Sequence, residues 1–519
     1  PKDLSAQSEG GEIDFNLVGE WLQFYGPISF KQIELLLGID RSRLEKALEN
    51  LMQAQAVVQG QLLKEGAEDD FCDAENFEIL LRINRAEAIP EFKPLDLNQL
   101  PLFLAELQGL TQADDSIDGL FARIEQLACY SHSAEMWETE IFPARIKPYQ
   151  LSWLDSVIQE GDLRWIGTDK QKIAFCFDSD IELLEDSGLL NENDDNSESE
   201  EKRDSLTDKL EEITQLNDAR YDFNTLVQLT GSTSKQLASK IWDLVWNGKL
   251  SNDTFSSLRK GIENRFKLPA MAESQPLQSR RGRRSTGRGG FAKWKGSIPF
   301  AGNWFRTSMP QEDLDLLESE ELKKDRVRQL LDRYGILFRE LLQRELPGFR
   351  WASVFRSLRL MELSGEILTG YFFESIPGPQ FIAKPAFRKL QSGLPADKIY
   401  WMNATDPASP CGMGIDQLKG AYPKRVASNH LVFRGGELIL ISERSGKSLT
   451  INIAADDPGL SECYEPLKNL LYRQFKPVRQ IVVETINGEA AATSPYIDSL
   501  KTSFEVLVEF KKLTLYRKL

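Results

Sequence analysis

The sequence predicts a mainly α-helical chain with β-structure, in which a tandem array of winged-helix modules is followed by a C-terminal β-barrel-like domain. Three observations carry this reading. One helix-to-strand template recurs four times, helix-turn-helix punctuation precedes two of the copies, and alternating apolar residues take over after about Leu390. At 519 residues the chain is too long for one hydrophobic core and divides into several domains.

The template is an apolar residue, a second four later, a third three later and a fourth six later, with glycine two before the last. The first copy is Leu44, Leu48, Leu51 and Val57, with Gln55 where glycine belongs. The second has Leu154, Val157 and Leu163 with Gly161, and Gln150 stands at its first apolar position. The third is Leu237, Ile241, Leu244 and Leu250 with Gly248, and the fourth is Val354, Leu358, Met361 and Ile367 with Gly365. Spacings of four and three put three side chains on one helix face, and glycine tolerates the left-handed conformation that stops a helix. Gln55 must adopt that conformation at a cost, or its helix must end differently. An apolar residue then enters an extended segment such as "DLRWIG" or "EILTGYFF", so each copy reads as a recognition helix running into a wing.

The flanks agree. "PISFKQIELLLGID" carries Ser29 and Gln32 at capping-box spacing, a helix ending at Gly38 and a new start at Asp40. "FNTLVQLTGSTSKQL" repeats the plan, with Gly231 six residues before Leu237 as Gly38 is six before Leu44. The boundaries expected are winged helices at 12–66, 205–270 and 320–390, and a helical segment with a winged helix at 74–185. An acidic linker occupies 186–204, a basic arm 271–310 and the β-barrel-like domain 395–519. That last domain rests on "HLVFRGGELILIS", an alternating pair of strands around Gly435 and Gly436, with "SLTINIA", "RQIVVETING" and "FEVLVEFKKLTLY" after it. One helix interrupts it near Glu462 to Gln474.

The formal charge is −16, yet Arg280 to Arg306 holds six Arg and two Lys with no acid, leaving −24 on the rest of the chain. Arg280, Arg281, Arg283, Arg284 and Arg288 can neutralise phosphates, while Phe291, Trp294 and Trp304 interleave with Lys293, Lys295 and Arg306. Cations that track a backbone, with rings on which bases stack, are what single-stranded nucleic acid requires. The fourth recognition-like helix adds Arg350, Trp351, Arg356 and Arg359, placing positive charge where a groove or backbone would lie. The alternative is that the arm docks on the chain's own acidic surface.

Several chemistries find no support. "RSGKSLT" lacks the first glycine of a phosphate-binding loop, because Ile441 occupies that position within a strand, so it reads as a hairpin turn. No ATPase motor is legible. The two histidines, His132 and His430, and five dispersed cysteines form no triad and no metal-ligand spacing, so the thiols are expected to be buried and inert and no metal site is expected. No apolar run nears the ~20 residues of a membrane span, which excludes a membrane partner and points to the cytoplasm. Proline at position one reads as excision from a larger protein.

"WLQFYGPISFKQIELLLGI", "MWETEIFPARIKPYQLSWLDSVIQEGDLRWIG", "IWDLVWNGKLSNDTFSSLR", "LLDRYGILFRELLQREL", "GFRWASVFRSLRLMELSGEILTGYFFESIPGPQFI" and "VETINGEAAATSP" together resemble the C-terminal extension of the long-form Lhr (large helicase-related) proteins, from about Phe15 to Pro495. The resemblance implies a string of winged helices plus a β-barrel, with an arrangement also similar to AlkZ-type DNA glycosylases. It implies a fifth winged helix, for which the helices from Phe77 to Leu110 are the place. It further implies that this chain is the non-motor region of a 3′-to-5′ ATP-dependent DNA helicase of DNA repair. Its partners would then be single-stranded DNA, the helicase core of the same polypeptide and copies of itself in a homo-tetramer. ATP and Mg would serve the motor only, leaving this chain without a cofactor. No catalytic residue can be carried over: the Gln-x-Gln type motif of glycosylases is not found, and Gln380 in "GPQFI" reads as a stabiliser of a wing. Base excision and a purely structural oligomerisation scaffold stay open as alternatives.

Overall fold

Four three-stranded antiparallel sheets recur ahead of the C-terminal domain, each with its strands in the order first, third, second. They lie within Ile28–Asp73, His132–Phe177, Tyr221–Arg306 and Ile336–Ala383. The structure is a computed structural model that describes residues 15–63, 69–88, 91–185, 205–214, 219–267, 301–307 and 315–518. The acidic linker and the arm from Arg280 to Lys295 lie outside the described residues.

In each sheet the helix that carries the template lies between the first and second strands, and every apolar template position is buried, from Leu44 and Leu48 to Met361 and Ile367. The helix ends explain why the template works. The N–H groups of Ala56, Lys249 and Glu366 reach back to the carbonyls of Leu51, Leu244 and Met361, each at 2.9 Å. Such a closure requires a left-handed residue just after the helix. Gly248 and Gly365 supply it at φ 68° and 77°, and Gln55 adopts it at φ 55° despite its Cβ. Gly161 departs from the expectation: it ends its helix in an extended conformation, φ −120°. The upstream turns match, since Gly38 and Gly231 cap their helices at φ 62° and 66°. Ser29 N–H donates to Gln32 Oε1 at 3.3 Å, completing one half of the capping box.

The residues fall into two compact units, 1–93 with 360–366, and 94–359 with 367–519. In the first unit the core is Val18, Leu22, Ile33, Leu44, Leu48, Leu51 and Phe71. The helix Ala74–Ala88 follows its third strand directly. In the second unit one continuous core runs through the second and third modules, from Leu120 to Trp304. The second wing meets the third module's helix at Gly167, where a Cβ would lie 1.8 Å from the Val245 carbonyl oxygen, and the third wing at Trp165, whose carbonyl accepts from Ser251 Oγ at 2.5 Å. The region 94–110 contributes the helix Leu100–Leu107, with Leu102, Phe103 and Leu104 fully buried. Among the described residues, 74–110 forms no three-stranded sheet of its own.

The C-terminal domain is built on a six-stranded sheet, in which Ile399–Asn403, His430–Arg434, Glu437–Glu443 and Ser448–Ile451 are consecutive antiparallel neighbours. Gly435 turns the hairpin at φ 56°, and Arg444, Ser445 and Gly446 make the next turn, all at positive φ. "RSGKSLT" is therefore a hairpin. A second sheet places Leu513–Tyr516 between Ile481–Val483 and Glu505–Val508. Among the described strands no pairing closes either sheet into the barrel that the alternation suggested. Alternation reports one buried face per strand and carries no information on closure.

Candidate nucleic-acid interface

The fourth module carries exposed positive charge at and on its recognition-like helix. From Arg350 to Met361 the sequence holds Arg350, Arg356 and Arg359 and no acid. The helix Trp351–Ser364 buries Val354, Leu358 and Met361, which turns Arg356 outward and leaves Arg350 exposed at its start. Arg350 is held in place, since its Nε donates to the Glu345 carbonyl at 3.1 Å. Trp351 is only half exposed, packed against Phe355 and Phe381 at centroid distances of 5.2 and 5.9 Å, and Arg359 is half buried. Tyr371, 68% exposed just past the wing strand Ile367–Gly370, was not singled out from sequence, although it stands in "EILTGYFF".

The arm's last residues require a correction. Trp304 is not a platform for bases: it lies in the strand Asn303–Arg306, which pairs with Tyr221–Asp222 and with Leu250–Asn252 as the third strand of the third wing. Its indole is fully buried and packs edge-on against Trp242 at 5.6 Å. Arg306, two residues on, points from the same face of the strand but is exposed. Between them Phe305 is flanked by the guanidinium groups of Arg164 and Arg220, at 5.5 and 5.0 Å. Arg280, Arg281, Arg283, Arg284, Arg288, Lys293, Trp294 and Lys295 lie outside the described residues.

Behind these surfaces a buried ionic network ties the second module, the fourth module and the C-terminal domain. Arg145 forms two 2.8 Å hydrogen bonds with the carboxylate of Asp406 and a third, 2.7 Å, with Gln108 Oε1. Gln108 Nε2 donates to the Arg333 carbonyl, and Arg333 pairs with Glu345 at 2.7 Å. The π-helical turn Trp137–Ile141 aims two more acids inward. Glu138 meets Arg259 and Tyr149, and its carboxyl is raised by burial against the lowering effect of Arg259. Glu140 accepts from Arg473 at 2.8 Å and lies 3.0 Å from His430 Nε2. Burial also pushes His132 down to about 4, with its Nε2 3.1 Å from the Thr405 carbonyl. Both histidines thus lie at contacts between the second module and the C-terminal domain. Gln380 plays the part expected of it: its Oε1 accepts from the N–H groups of Phe372 and Phe373, both 2.9 Å, and its Nε2 donates to the Phe373 carbonyl. All five cysteines are buried free thiols.

A cleft of about 710 Å³ opens beside the second module, lined in part by Phe121, Phe177, Arg123, Glu125, Asp180 and Asp332. The two rings lie 5.5 Å apart. Desolvation, with the charge of Glu125 second, holds the Asp332 carboxyl above the usual range. Burial, with the Arg145 charge second, holds the Arg123 guanidinium below its own. The cleft thus brings two aromatic rings and charged groups of both signs to one opening. Sequence reasoning missed it, because its acids come from four separate helices or turns and nothing local marks them.

Family models described as "Large helicase-related protein, winged-helix domain" match residues 95–184 and 317–401. Among curated relatives, "Lhr helicase/ probable uracil glycosylase" of Mycolicibacterium smegmatis is 26% identical over 506 residues, covering 93% of this chain and 32% of the relative. "Lhr helicase/uracil glycosylase" of Escherichia coli is 25% identical over 466 residues, covering 80% and 29%. The chain therefore spans about a third of the length of these relatives. Among solved structures, the Streptomyces sahachiroi DNA glycosylase AlkZ aligns with TM-score 0.45 and 12% identity, over 73% of this chain and 97% of that one. No described helix is long and apolar enough to cross a membrane.

Proposed function

We propose that this chain, which is similar to the winged-helix region of large helicase-related (Lhr) proteins, binds DNA for an ATP-dependent 3′-to-5′ DNA helicase of DNA repair and joins copies of itself into a homo-tetramer. The motor and its ATP and Mg would belong to the rest of the polypeptide. The observation that carries the DNA reading is the acid-free outer face of the fourth recognition helix, with Arg350 and Arg356 exposed on a chain of net charge −16. Local positive charge on an acidic background selects a polyanion, and each phosphate neutralised releases a counterion. The basic arm would extend this surface toward single strands through Arg280, Arg281, Arg283, Arg284, Arg288, Lys293, Trp294 and Lys295. In the Arg350→Gln/Arg356→Gln variant, the slope of log affinity against log salt should fall by about 1.4 for single strands, two contacts at roughly 0.7 each. An unchanged slope would remove the helix from the interface.

Base excision is a second reading, favoured by the cleft. A flipped base needs a stacking surface and a carboxyl near the sugar, and Phe121, Phe177 and Asp332 supply those groups within one cavity. The relatives named as uracil glycosylases suggest the lesion to try. Release of uracil from a single-stranded oligonucleotide should fall at least about a hundredfold in Asp332→Asn, in line with the loss of a general acid or base. Retained release in a folded Asp332→Asn protein would take the reaction away from this cleft.

A further inference from the structure

The last hairpin of the chain carries a second aromatic and cationic surface, distant in sequence from both the arm and the fourth recognition helix. Its strands are Glu505–Val508 and Leu513–Tyr516, and the turn between them closes with Glu509 N–H donating to the Lys512 carbonyl at 2.9 Å. One face is anchored, since Leu513 and Leu515 are fully buried. The tip is not: Phe510 is 92% exposed, in a fold that otherwise buries most of its phenylalanines. A solvated ring at the end of an anchored hairpin gains nothing for folding, because its apolar area stays in water.

The charge around this ring is distinctive. Between Glu505 and Lys518 there are four cations, Lys511, Lys512, Arg517 and Lys518, against Glu505 and Glu509. Lys512 is paired with Glu509 at 3.0 Å, while the Lys511 ammonium lies 5.8 Å from the Phe510 centroid. At the other end of the hairpin the Arg517 guanidinium covers the Tyr472 ring at 4.8 Å. The phenol is fixed there, donating to the Lys518 carbonyl and accepting from the Lys518 N–H, both at 2.8 Å. Two ring-and-cation pairs therefore mark the two ends of one hairpin, about 20 Å apart for six to seven residues of extended chain. Rings alternating with cations at such a span suit a flexible polyanion with planar groups, whereas a purely apolar partner would leave the cations unmatched.

We infer that this hairpin is a contact site for single-stranded nucleic acid, with a base stacking on Phe510 and the backbone running past Lys511 and Lys512 toward Arg517. This rests on the DNA-binding reading above. The test uses the full chain and a labelled single-stranded oligonucleotide in fluorescence anisotropy. Phe510→Ala should weaken binding roughly tenfold with the salt slope unchanged, because one stacked base is worth ~1–3 kcal/mol on alanine substitution. Phe510→Trp should restore the affinity. Lys511→Gln/Lys512→Gln should instead lower the slope by about 1.4. Exposure of the tip means that all three variants should melt with the parent. If the parent binds and Phe510→Ala binds equally well, the hairpin site is wrong and the DNA reading stands. A parent that binds no oligonucleotide overturns both. Variants that shift only self-association in sedimentation, with affinity intact, make the tip a contact between copies and overturn the site.

Discussion

Asp406→Ala is expected to destabilise the second compact unit by about 3–5 kcal/mol, the cost of stranding a buried charge. The Arg145 and Asp406 side chains are 0% and 1% exposed. Removing the carboxylate leaves a guanidinium whose Nη1 and Nη2 lose two 2.8 Å bonds in a site that water does not reach. The Ala408 N–H, which donates to Asp406 Oδ1 at 2.8 Å, loses its acceptor as well. Urea denaturation followed by intrinsic Trp fluorescence reports it, since Trp137 and Trp165 are fully buried in the core that adjoins this network. The Arg145→Leu/Asp406→Leu double variant should be markedly more stable than Asp406→Ala alone, because replacing both charges removes the unpaired one. Equal midpoints for Asp406→Ala and the parent would mean that the pair is hydrated in solution and that the network does not hold the modules.

Replacing Arg280, Arg281, Arg283, Arg284 and Arg288 by Gln is expected to produce the largest change in binding. Five phosphate contacts at roughly 0.7 each predict a slope lower by about 3.5 for a single strand. The affinity loss should be greatest at low salt and shrink as salt rises, since the parent has already lost its counterion-release gain there. The competing account, in which these arginines dock on the chain's own acids, predicts no change of slope and a loss of stability instead. Titrations at four salt concentrations, with melting of the same preparations, separate the two.

The local features were legible because their causes are local. The spacing of four, three and six residues reports a helix face, a left-handed stop and a strand entry, so Leu44, Ile241 and Met361 could be placed in cores before any contact was known. Gln55 shows the strength of that inference: with glycine missing, the backbone still takes φ 55°. Gln380 was legible through the resemblance, as the polar residue of the block "GPQFI".

What stayed hidden depends on distance along the chain. Trp304 looked like part of the arm because its strand partners, Tyr221–Asp222 and Leu250–Asn252, lie about 50 to 80 residues upstream, across a stretch with no strand signal. Arg145 and Asp406 are 261 positions apart, and among 79 acids no sequence rule selects one. The cleft has the same origin, with Phe121, Phe177 and Asp332 converging from separate elements. Closure of the C-terminal sheet depends on strand tilt and stagger, which alternation does not encode.

The central claim is that this winged-helix region handles DNA, and it is tested most directly by anisotropy of a labelled single-stranded oligonucleotide with the unmodified chain at ~50 and ~200 mM salt, the range over which several phosphate contacts cost ~10³-fold or more in affinity. Tight binding at the lower salt that weakens steeply at the higher is the expected result. Absence of binding at ~50 mM would contradict the account and leave the four modules as a scaffold for assembly.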